Sequence, residues 1–313
     1  MVKVSGGQIL ISGGSGFIGR YVVELLQDEY DVVVIDQIKP NYKTKFQKIN
    51  LLEPFSISKD FEKCIHLAAI VGGIQYFTKH SVENIRDNPR MIGNVFDACI
   101  KGNVDQIIYT SSSVVYQYQK KFPFKEEDVL TSPAPSSAYG LSKLIGEYFC
   151  KAYYEQFNLD YTILRPFNAY GPGEYPDPDY AHVIPHLIKK VTSGQYPVEI
   201  YGSGNQSRTF THGKDIANSY LLSIKNKNAL NETFNVSGNE EIKIKEVLKK
   251  IWKILRQEKV LKMKHLDEFP HDVKRRFPSN KKIFQKLKWK PQINFDYGLQ
   301  ETIEWVKRNE SAV

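Results

Sequence analysis

The stretch Gln8-Ile-Leu-Ile-Ser-Gly-Gly-Ser-Gly-Phe-Ile-Gly19 decides the fold, because an apolar run leads directly into a glycine-rich turn. Gly13, Gly16 and Gly19 have the G-x-x-G-x-x-G spacing, and an amphipathic pattern follows them. The first glycine permits a tight turn, the second lets a phosphate approach the backbone, and the third lets a helix pack closely on the strand. The stretch therefore predicts a strand, a turn that binds the phosphates of a dinucleotide at a helix start, and that helix.

A second apolar run, Asp31-Val-Val-Val-Ile-Asp36, follows at the spacing of a strand-helix-strand unit and ends in an acid. A carboxylate at this position binds the ribose hydroxyls of a dinucleotide and repels a 2′-phosphate. Asp36 therefore predicts NAD in preference to NADP. Lys39, three residues later, could soften that preference.

The first half of the chain alternates between two patterns. Strand patterns and helix patterns follow one another, with strands near 8–12, 31–36, 64–70, 106–112 and 161–166 and helices near 16–28, 84–102 and 137–157. This alternation predicts an α/β fold with a doubly wound parallel sheet, in which ligands bind beyond the carboxyl ends of the strands. The run Cys64-Ile-His-Leu-Ala-Ala-Ile70 has no inside/outside alternation, so we expect that strand to be covered on both faces.

The character of the chain changes after Arg165-Pro166, where prolines and tyrosines interrupt the regular pattern. We expect a dinucleotide-binding domain over 1–168 and a smaller α/β substrate domain over 169–313, with about 208–228 packing back on the first domain. Within the second region we predict a helix at 181–193, short strands near 198–201, 208–212 and 233–236, and helices at about 243–255 and 297–309.

Length and composition describe an ordinary globular protein of 313 residues, 41% hydrophobic and 25% charged, with a net charge of +8. The N-terminus leads straight into the first strand and no apolar run approaches transmembrane length, so we expect a cytoplasmic protein without a membrane partner. The lysines are scattered over predicted helix faces, which disfavours nucleic acid as a partner. Cys64, Cys99 and Cys150 have no metal-ligand spacing, so we expect core cysteines and no metal.

Two Tyr-x-x-x-Lys pairs occur, and their positions distinguish them. Tyr116–Lys120 lies in a polar stretch, whereas Tyr139–Lys143 opens a helix, where residues four apart share one face. Ser112 follows the strand that precedes this helix. A phenol is a weak base at neutral pH, but a neighbouring ammonium and an oxidised nicotinamide favour the phenolate and lower its pKa. Tyr139 can then act as a general base, while Ser112 hydrogen-bonds the reacting oxygen and Lys143 holds the nicotinamide ribose.

Together these motifs resemble the extended short-chain dehydrogenase/reductase family, specifically its NAD-dependent nucleotide-sugar epimerases and dehydratases. The resemblance covers nearly the whole chain and implies a Rossmann-type fold. It rests on Gly13–Gly19, Asp36, His66-Leu-Ala-Ala69, Asn88, Ser111-Ser-Ser-x-Val-Tyr116, Tyr139-x-x-x-Lys143, Arg165-Pro-Phe-Asn-x-Tyr-Gly-Pro-Gly173, Arg208-x-Phe-x-His212 with Asp215, Trp289-Lys-Pro291 and the segment Gly298–Trp305.

The resemblance also implies ligand-binding residues. Those assigned to NAD, besides the glycines, Asp36 and the Tyr–Lys pair, are Ser15, Phe17, Ile18, Asn50, Leu51, Leu67, Ala68, Ala69, Pro166 and Phe167. Asn50 stands where the family usually has Asp. Those assigned to a nucleotide-diphosphate sugar are Val71, Gly72, Asn168, His182, Arg208 and Arg275, with the arginines facing the pyrophosphate. Arg275 can equally be a solvated surface charge, and His182 can equally be a hydrogen bonder at a helix start.

The resemblance leaves several reactions open. Dehydration is disfavoured because Ser113 and Val114 stand where family dehydratases carry an acid. Val71-Gly-Gly-Ile74 and Ala181-His-Val-Ile-Pro185 are similar to the GDP-fucose synthases and GDP-mannose 3,5-epimerases, but Val114 replaces their cysteine and Asp36 opposes the NADPH that fucose synthases prefer. The hypothesis is therefore an NAD-retaining nucleotide-sugar 4-epimerase. A His182-assisted C3 or C5 epimerase or 4-keto-sugar reductase is the enzymatic alternative.

A hypothesis from another class is a non-catalytic NAD-binding sensor or scaffold on the same fold. Such proteins commonly lose the Tyr or the Lys, and this chain retains both with Ser112. Related enzymes often form homodimers by packing helices that correspond to about 84–102 and 137–157 into a four-helix bundle. We therefore expect a homodimer.

Overall fold

The computed structural model describes residues 6–73, 76, 79–174, 181–255, 258–269 and 272–310. Its strands are β1 Gln8–Ser12, β2 Asp31–Asp36, β3 Lys45–Lys48, β4 Phe61–His66, β5 Gln106–Thr110, β6 Asp160–Pro166, β7 Ala169–Tyr170, β8 Val198–Tyr201, β9 Ser207–Thr209, β10 Thr211–His212, β11 Glu232–Val236, β12 Glu241–Lys243 and β13 Met263–Leu266. Its helices are α1 Phe17–Leu26, α2 Ser81–Lys101, α3 Ala138–Phe157, α4 Val183–Thr192, α5 Gly213–Lys225, α6 Ile244–Ile254, α7 Lys281–Leu287 and α8 Phe295–Glu310.

The main sheet has seven strands in the order β11-β6-β5-β4-β1-β2-β3, and every pairing is parallel. The chain moves outward from β1 through β2 to β3, then crosses back and continues from β4 to β11 on the other side. The direction of winding therefore reverses between β1 and β4, and a ligand crevice lies at the carboxyl ends on either side of such a point. The Rossmann-type fold predicted from the sequence is confirmed.

Both faces of this sheet are covered. Ile9 and Ile11 face a cluster with α1 and α5, while Leu10, between them, faces a second cluster with α2 and α3. Because successive strand residues meet opposite apolar layers, the strands show no polar alternation, as predicted. Cys64, Cys99 and Cys150 are free thiols buried in the second cluster, so the expectation of core cysteines is confirmed.

A third apolar cluster joins α4, α6, α8 and β8, and we call this part of the molecule the substrate lobe. The chain nevertheless returns to the first layer more than once. α5 packs beside α1, β11 forms the edge of the main sheet, and α7 with Trp289 joins the first cluster. These returns extend beyond the predicted 208–228, and the division of the chain at residue 168 stays a prediction.

Some boundaries differ from the sequence prediction. The strand expected at 64–70 is β4, which begins at Phe61 and ends at His66, so residues 67–70 are the loop after the strand. The strand expected at 208–212 is two short strands, since β9 pairs antiparallel with β12 and β10 pairs parallel with β7. No helix among the described residues has both the length and the apolar character needed to cross a membrane.

Candidate active site

One large cavity lies at the carboxyl ends of the central strands and extends into the substrate lobe. Its volume is about 1010 Å³, at the upper end of the ~300–1,000 Å³ common for small-molecule sites. Its wall includes the glycine turn after β1, the ends of β2, β4, β5 and β6, the start of α3 and one face of α4. The cavity therefore includes both the glycine turn and a second region in the substrate lobe.

The glycine turn has the backbone geometry that its spacing predicts. Gly13 has φ +78°, and a Cβ there would lie 2.4 Å from the backbone N of Ala68. A Cβ on Gly19 would lie 2.2 Å from the Gly13 carbonyl oxygen, so the helix can approach the turn only through a glycine. Gly16 is exposed to the cavity, and a Cβ there would meet only the Gly13 oxygen, at 3.4 Å. The turn thus leaves an open approach to the N-terminus of α1, where no side chain caps the helix.

Asp36 lies at the end of β2 on the cavity wall. Its carboxylate accepts hydrogen bonds from the backbone N–H of Ser15 and of Ile38, each at 3.2 Å. Leu51 also lines the cavity, whereas Asn50 is exposed and its carboxamide oxygen accepts from Gln37 at 2.8 Å. The structure therefore places Leu51, but not Asn50, on the cavity surface.

Of the remaining residues assigned to the dinucleotide, all but Phe167 line the cavity. Phe167 is fully buried in an aromatic cluster with Tyr116 and Phe124 and does not line the cavity. The other assigned residues all line the cavity: Ser15, Phe17, Ile18, Leu67, Ala68, Ala69 and Pro166.

Ser112, Tyr139 and Lys143, which we call the Ser-Tyr-Lys group, come together on the cavity wall. Tyr139 and Lys143 lie in the first two turns of α3, and Ser112 hydrogen-bonds the Tyr139 side chain. The Lys143 Nζ donates to the Thr110 carbonyl oxygen at 2.9 Å and lies 5.8 Å from the centre of the Tyr139 ring. Residues from two separate elements thus meet at one point.

The protein groups around Tyr139 raise its pKa, whereas the lowered pKa expected from the sequence also counts the positive charge of an oxidised nicotinamide. Burial raises it to about 12, more than the Ser112 hydrogen bond and the Arg276 charge lower it. Burial also lowers the pKa of Lys143 to about 7, so this side chain is only partly protonated at neutral pH. Lys143 therefore supplies only part of the phenolate-stabilising charge expected from the sequence.

The other Tyr-x-x-x-Lys pair does not form a site. Tyr116 lies in a 3₁₀ turn over Ser113–Tyr116, is buried, and donates to Asn235 Oδ1 at 2.8 Å. Lys120 is exposed. Position in the fold therefore separates the two pairs, as the sequence indicated.

Arg208 lies where the second binding region begins. It is buried on the cavity wall, and its Nη2 lies 2.6 Å from Asp272 Oδ1. Asn168 also lines the cavity, with φ +39°, and donates to the Thr209 carbonyl oxygen at 2.7 Å. Val71 and Gly72 line the cavity as well.

The structure does not place Arg275 in the cavity. Arg275 is exposed and forms a bidentate ion pair with Glu241, with both nitrogen–oxygen distances 2.8 Å. Arg276 lines the cavity instead, and its Nε is buried without a hydrogen-bond partner among the described residues. Burial and the Arg208 charge lower the pKa of Arg276 to about 9. The two arginines face opposite sides because this segment pairs in extended form with Ser207.

His182 stands at the N-cap of α4 and lines the cavity, but its side chain does not cap the helix. The imidazole Nδ1 hydrogen-bonds Glu174, and the other Glu174 carboxylate oxygen is buried without a partner among the described residues. Burial lowers the pKa of His182, but the Glu174 charge and hydrogen bond outweigh it, and the net pKa is raised. The pair is an imidazole oriented by a carboxylate, rather than a helix cap.

Several cavity residues were missed from the sequence. His186 and Lys190 follow His182 at intervals of four on α4, so one helix face supplies all three. That spacing was a usable signal. Tyr201 and Phe269 also line the cavity, with ring centres 4.0 Å apart, but no local pattern links residues so distant in sequence.

Comparison with known proteins places these features in a family. Residues 9–237 match the model of the NAD dependent epimerase/dehydratase family. The chain is 32% identical to a putative UDP-glucose 4-epimerase of Methanocaldococcus jannaschii, over 96% of this chain and 99% of that one. It is 29% identical to a UDP-N-acetyl-alpha-D-glucosaminuronate decarboxylase of Bacillus cytotoxicus, over 96% and 98%.

Solved structures give the same result. A UDP-N-acetylglucosamine 4-epimerase from Methanobrevibacter ruminantium, in complex with UDP-N-acetylmuramic acid, is 29% identical with a TM-score of 0.85, over 97% of this chain and 99% of that one. A UDP-glucuronic acid 4-epimerase from Bacillus cereus, in complex with UDP-glucuronic acid and NAD, is 28% identical with a TM-score of 0.82, over 96% and 99%.

Proposed function

The chain belongs to the NAD-dependent epimerase/dehydratase family, and we propose that it is a nucleotide-sugar 4-epimerase acting on a nucleotide-diphosphate hexose. The observation that carries the proposal is the meeting of the Ser-Tyr-Lys group with Arg208 and Arg276 in one cavity. The same cavity thus holds groups for acid/base chemistry and cations suited to a pyrophosphate.

NAD is the cofactor, and the residues around the glycine turn fit it. The backbone is accessible at Gly16, and Gly13 and Gly19 leave no room for side chains. Asp36 faces the same space, and Lys39 is exposed and does not line the cavity, which supports NAD in preference to NADP. When bound, NAD would accept the hydride that leaves carbon 4 of the sugar and would return it to the opposite face of that carbon.

The chain's own groups handle the proton. In its phenolate form, the Tyr139 oxygen takes the proton of the 4-hydroxyl as that carbon becomes a ketone, and it gives the proton back when the hydride returns. Ser112 hydrogen-bonds Tyr139 and has one hydroxyl hydrogen, which it can turn from the phenol oxygen to the reacting oxygen of the sugar. Lys143 lies beneath the ring and is held by the Thr110 carbonyl, a position from which it can hold the nicotinamide ribose.

The two arginines of the cavity support a diphosphate rather than a free sugar as part of the substrate. Arg208 and Arg276 both reach the cavity, and the buried Arg276 Nε lacks a partner among the described residues. Charged donors of this kind bind phosphate oxygens with short, strong hydrogen bonds. UDP-sugars are the first substrates to test, because the similar 4-epimerases from Methanobrevibacter ruminantium and Bacillus cereus were crystallised with UDP compounds.

The His182–Glu174 pair supports a second candidate reaction. A buried carboxylate that orients an imidazole is a common arrangement for a general acid/base. Next to a 4-keto sugar, such a pair could exchange a proton at carbon 3 or carbon 5 on one face, and inversion of that centre would also need a proton donor on the opposite face. The non-catalytic alternative is less well supported, because it gives no reason for Ser112, Tyr139 and Lys143 to meet in the cavity.

We also propose that the protein is a homodimer. α2 and α3 pack against each other through Phe96, whose ring centre lies 6.1 Å from Phe149 and 5.1 Å from Tyr153. Their outer faces expose apolar side chains, including Val82 and Tyr148. Packing of two such helix pairs would cover these side chains in a four-helix bundle.

The experiment is proton NMR of the purified protein with NAD and a panel of nucleotide sugars in heavy water. We expect a C4 stereoisomer without deuterium on carbon, because the hydride is returned internally. Deuterium at carbon 3 or 5 would instead assign the reaction to the His182–Glu174 pair.

The same assay tests the catalytic tyrosine. We expect Tyr139→Phe to reduce kcat by roughly 10²–10⁴-fold, the usual contribution of a general acid/base. The control is Tyr297→Phe, because Tyr297 is 60% exposed on α8. Unchanged turnover in Tyr139→Phe would contradict both proposed reactions.

A further inference from the structure

A buried ion pair lies directly behind the Ser-Tyr-Lys group. Arg165 on β6 donates from Nε to Glu147 Oε1 at 2.8 Å and from Nη2 to Glu147 Oε2 at 2.7 Å. The side chains are only 4% and 5% exposed, and neither lines the cavity. The pair therefore touches neither ligand, and any effect on the reaction is transmitted through other residues.

Glu147 is linked to the Ser-Tyr-Lys group through α3 and through Ser111. It follows Lys143 by four residues and Tyr139 by eight on α3, so the three share one helix face. Its Oε1 also accepts a hydrogen bond from the hydroxyl of Ser111, the residue before Ser112. One carboxylate thus joins the helix that carries the phenol to the strand end that carries the serine.

Arg165 anchors the other side of the same carboxylate. It directly precedes Pro166, which lines the cavity. Its Nη1 donates to the Tyr116 hydroxyl at 2.5 Å and to the Glu126 carbonyl oxygen at 2.9 Å. The guanidinium therefore ties the ends of β5 and β6 and the turn at Tyr116 to α3 through Glu147.

A gain in stability is a weak explanation for such a pair. Replacing a buried ion pair by apolar residues of similar volume is often neutral or stabilising, because removing two charges from water costs about as much as their attraction returns. What a bidentate pair provides is a fixed geometry between the elements that carry it. Here those elements are α3, β5 and β6, which together hold the reacting groups.

We propose that Glu147 and Arg165 are positioning residues that hold Ser112 at hydrogen-bond distance from Tyr139. This inference rests on the proposed function, since it assigns a role only if Ser112 and Tyr139 act on substrate. A misplacement of about 1 Å in a reacting group can cost roughly 10²-fold in rate. The Ser112 hydrogen bond lowers the pKa of Tyr139, so a displaced Ser112 leaves that pKa higher.

The test begins with Arg165→Lys, which keeps the charge but cannot form the bidentate pair. We expect kcat, measured per NAD-loaded subunit, to fall by about 10-fold to 10²-fold, with KM for the nucleotide sugar within about threefold of the wild type. We also expect the acidic limb of the kcat/KM profile to shift to higher pH, because the phenolate is then harder to form. An unchanged kcat and an unchanged limb would overturn the proposal.

A second variant covers the case in which Arg165→Lys does not fold. The double variant Glu147→Leu/Arg165→Met removes both charges together, so no unpaired charge stays buried. We expect it to fold, to bind NAD, and to show the same loss of kcat and the same pH shift. A wild-type kcat in this variant would also overturn the proposal.

The matched control is Glu232→Gln, because Glu232 pairs with Lys282 at 2.7 Å on the edge strand β11, away from the cavity. It should leave kcat and the pH profile unchanged. Tyr139→Phe distinguishes a failure of the proposed function from a failure of the positioning role alone. If Tyr139→Phe keeps full turnover, the proposed function fails; if it loses turnover while the Arg165 variants keep theirs, the positioning role alone fails.

Discussion

Arg275 and Arg276 are adjacent in the chain, yet they face different surroundings, and this makes them a matched pair for testing substrate binding. We expect Arg276→Met to raise KM for the nucleotide sugar by roughly 10-fold to 10²-fold, since a hydrogen bond to a charged group contributes about 1.5–3 kcal/mol. Arg275→Met should leave KM unchanged, because Arg275 pairs with Glu241 on the surface. Steady-state kinetics on both variants checks this, and equal effects would contradict the assignment.

The same pair shows the limit of sequence reasoning for single residues. The run Lys274-Arg-Arg276 indicates cations near a substrate, but which of them faces inward depends on the pairing of this segment with Ser207. That pairing joins positions about seventy residues apart, so no local pattern contains it. Tyr139 could be chosen over Tyr116 because a local signal, the start of a helix, accompanies it.

At the scale of elements, the turn between β1 and α1 can be tested through its glycines. Gly16→Ala should leave the fold intact, because Gly16 has φ −78° and the added Cβ meets only one atom, at 3.4 Å. The methyl group would nevertheless project where the NAD phosphates approach, so we expect the purified variant to carry at least about tenfold less NAD, equivalent to ~1.4 kcal/mol. Bound NAD, released by denaturation and measured enzymatically, gives the result.

The control is Gly93→Ala on α2, where the nearest atom, on Phe149, also lies 3.4 Å from the added Cβ. It should retain NAD and gain up to about 1 kcal/mol of stability, since Gly costs about that much in a helix interior. Loss of NAD in both variants would mean that the effect is not specific to the turn.

Elements could be predicted from the sequence where they are long or strongly patterned. β1, β2, α2 and α3 were identified within a few residues, since hydrophobic period and helix-start signals agree there. β3 was missed, because Lys45-Phe-Gln-Lys48 is mostly exposed and carries no apolar pattern. It forms a strand because its backbone pairs with β2 at the edge of the main sheet, and no pattern within these four residues shows that pairing.

At the scale of the whole molecule, the general position of the site followed from topology. A doubly wound sheet places its ligands beyond the carboxyl ends, and the residues after β1, β2, β4 and β5 do line the cavity. The residues of the opposite cavity wall could not be predicted from the topology of the main sheet. Tyr201 and Phe269 meet there through the pairing of β8 with β13 in the substrate lobe. Contacts between distant short strands leave little trace in local sequence.

The homodimer is also a property of the whole molecule, and Tyr148 on α3 tests it. Tyr148 and Tyr297 are each 60% exposed, but only Tyr148 lies on the helix pair that we propose as the interface. We expect the wild type to have twice the 36.0 kDa mass of one chain in size-exclusion chromatography with light scattering. Tyr148→Glu should shift it toward the single-chain mass, because the dimer would bury an unpaired charge. Tyr297→Glu should leave the dimer intact.

The Tm of the wild type, but not of Tyr148→Glu, should rise with protein concentration. A wild type of single-chain mass, or a Tyr148→Glu variant that dimerises normally, would show that these helix faces are not the interface.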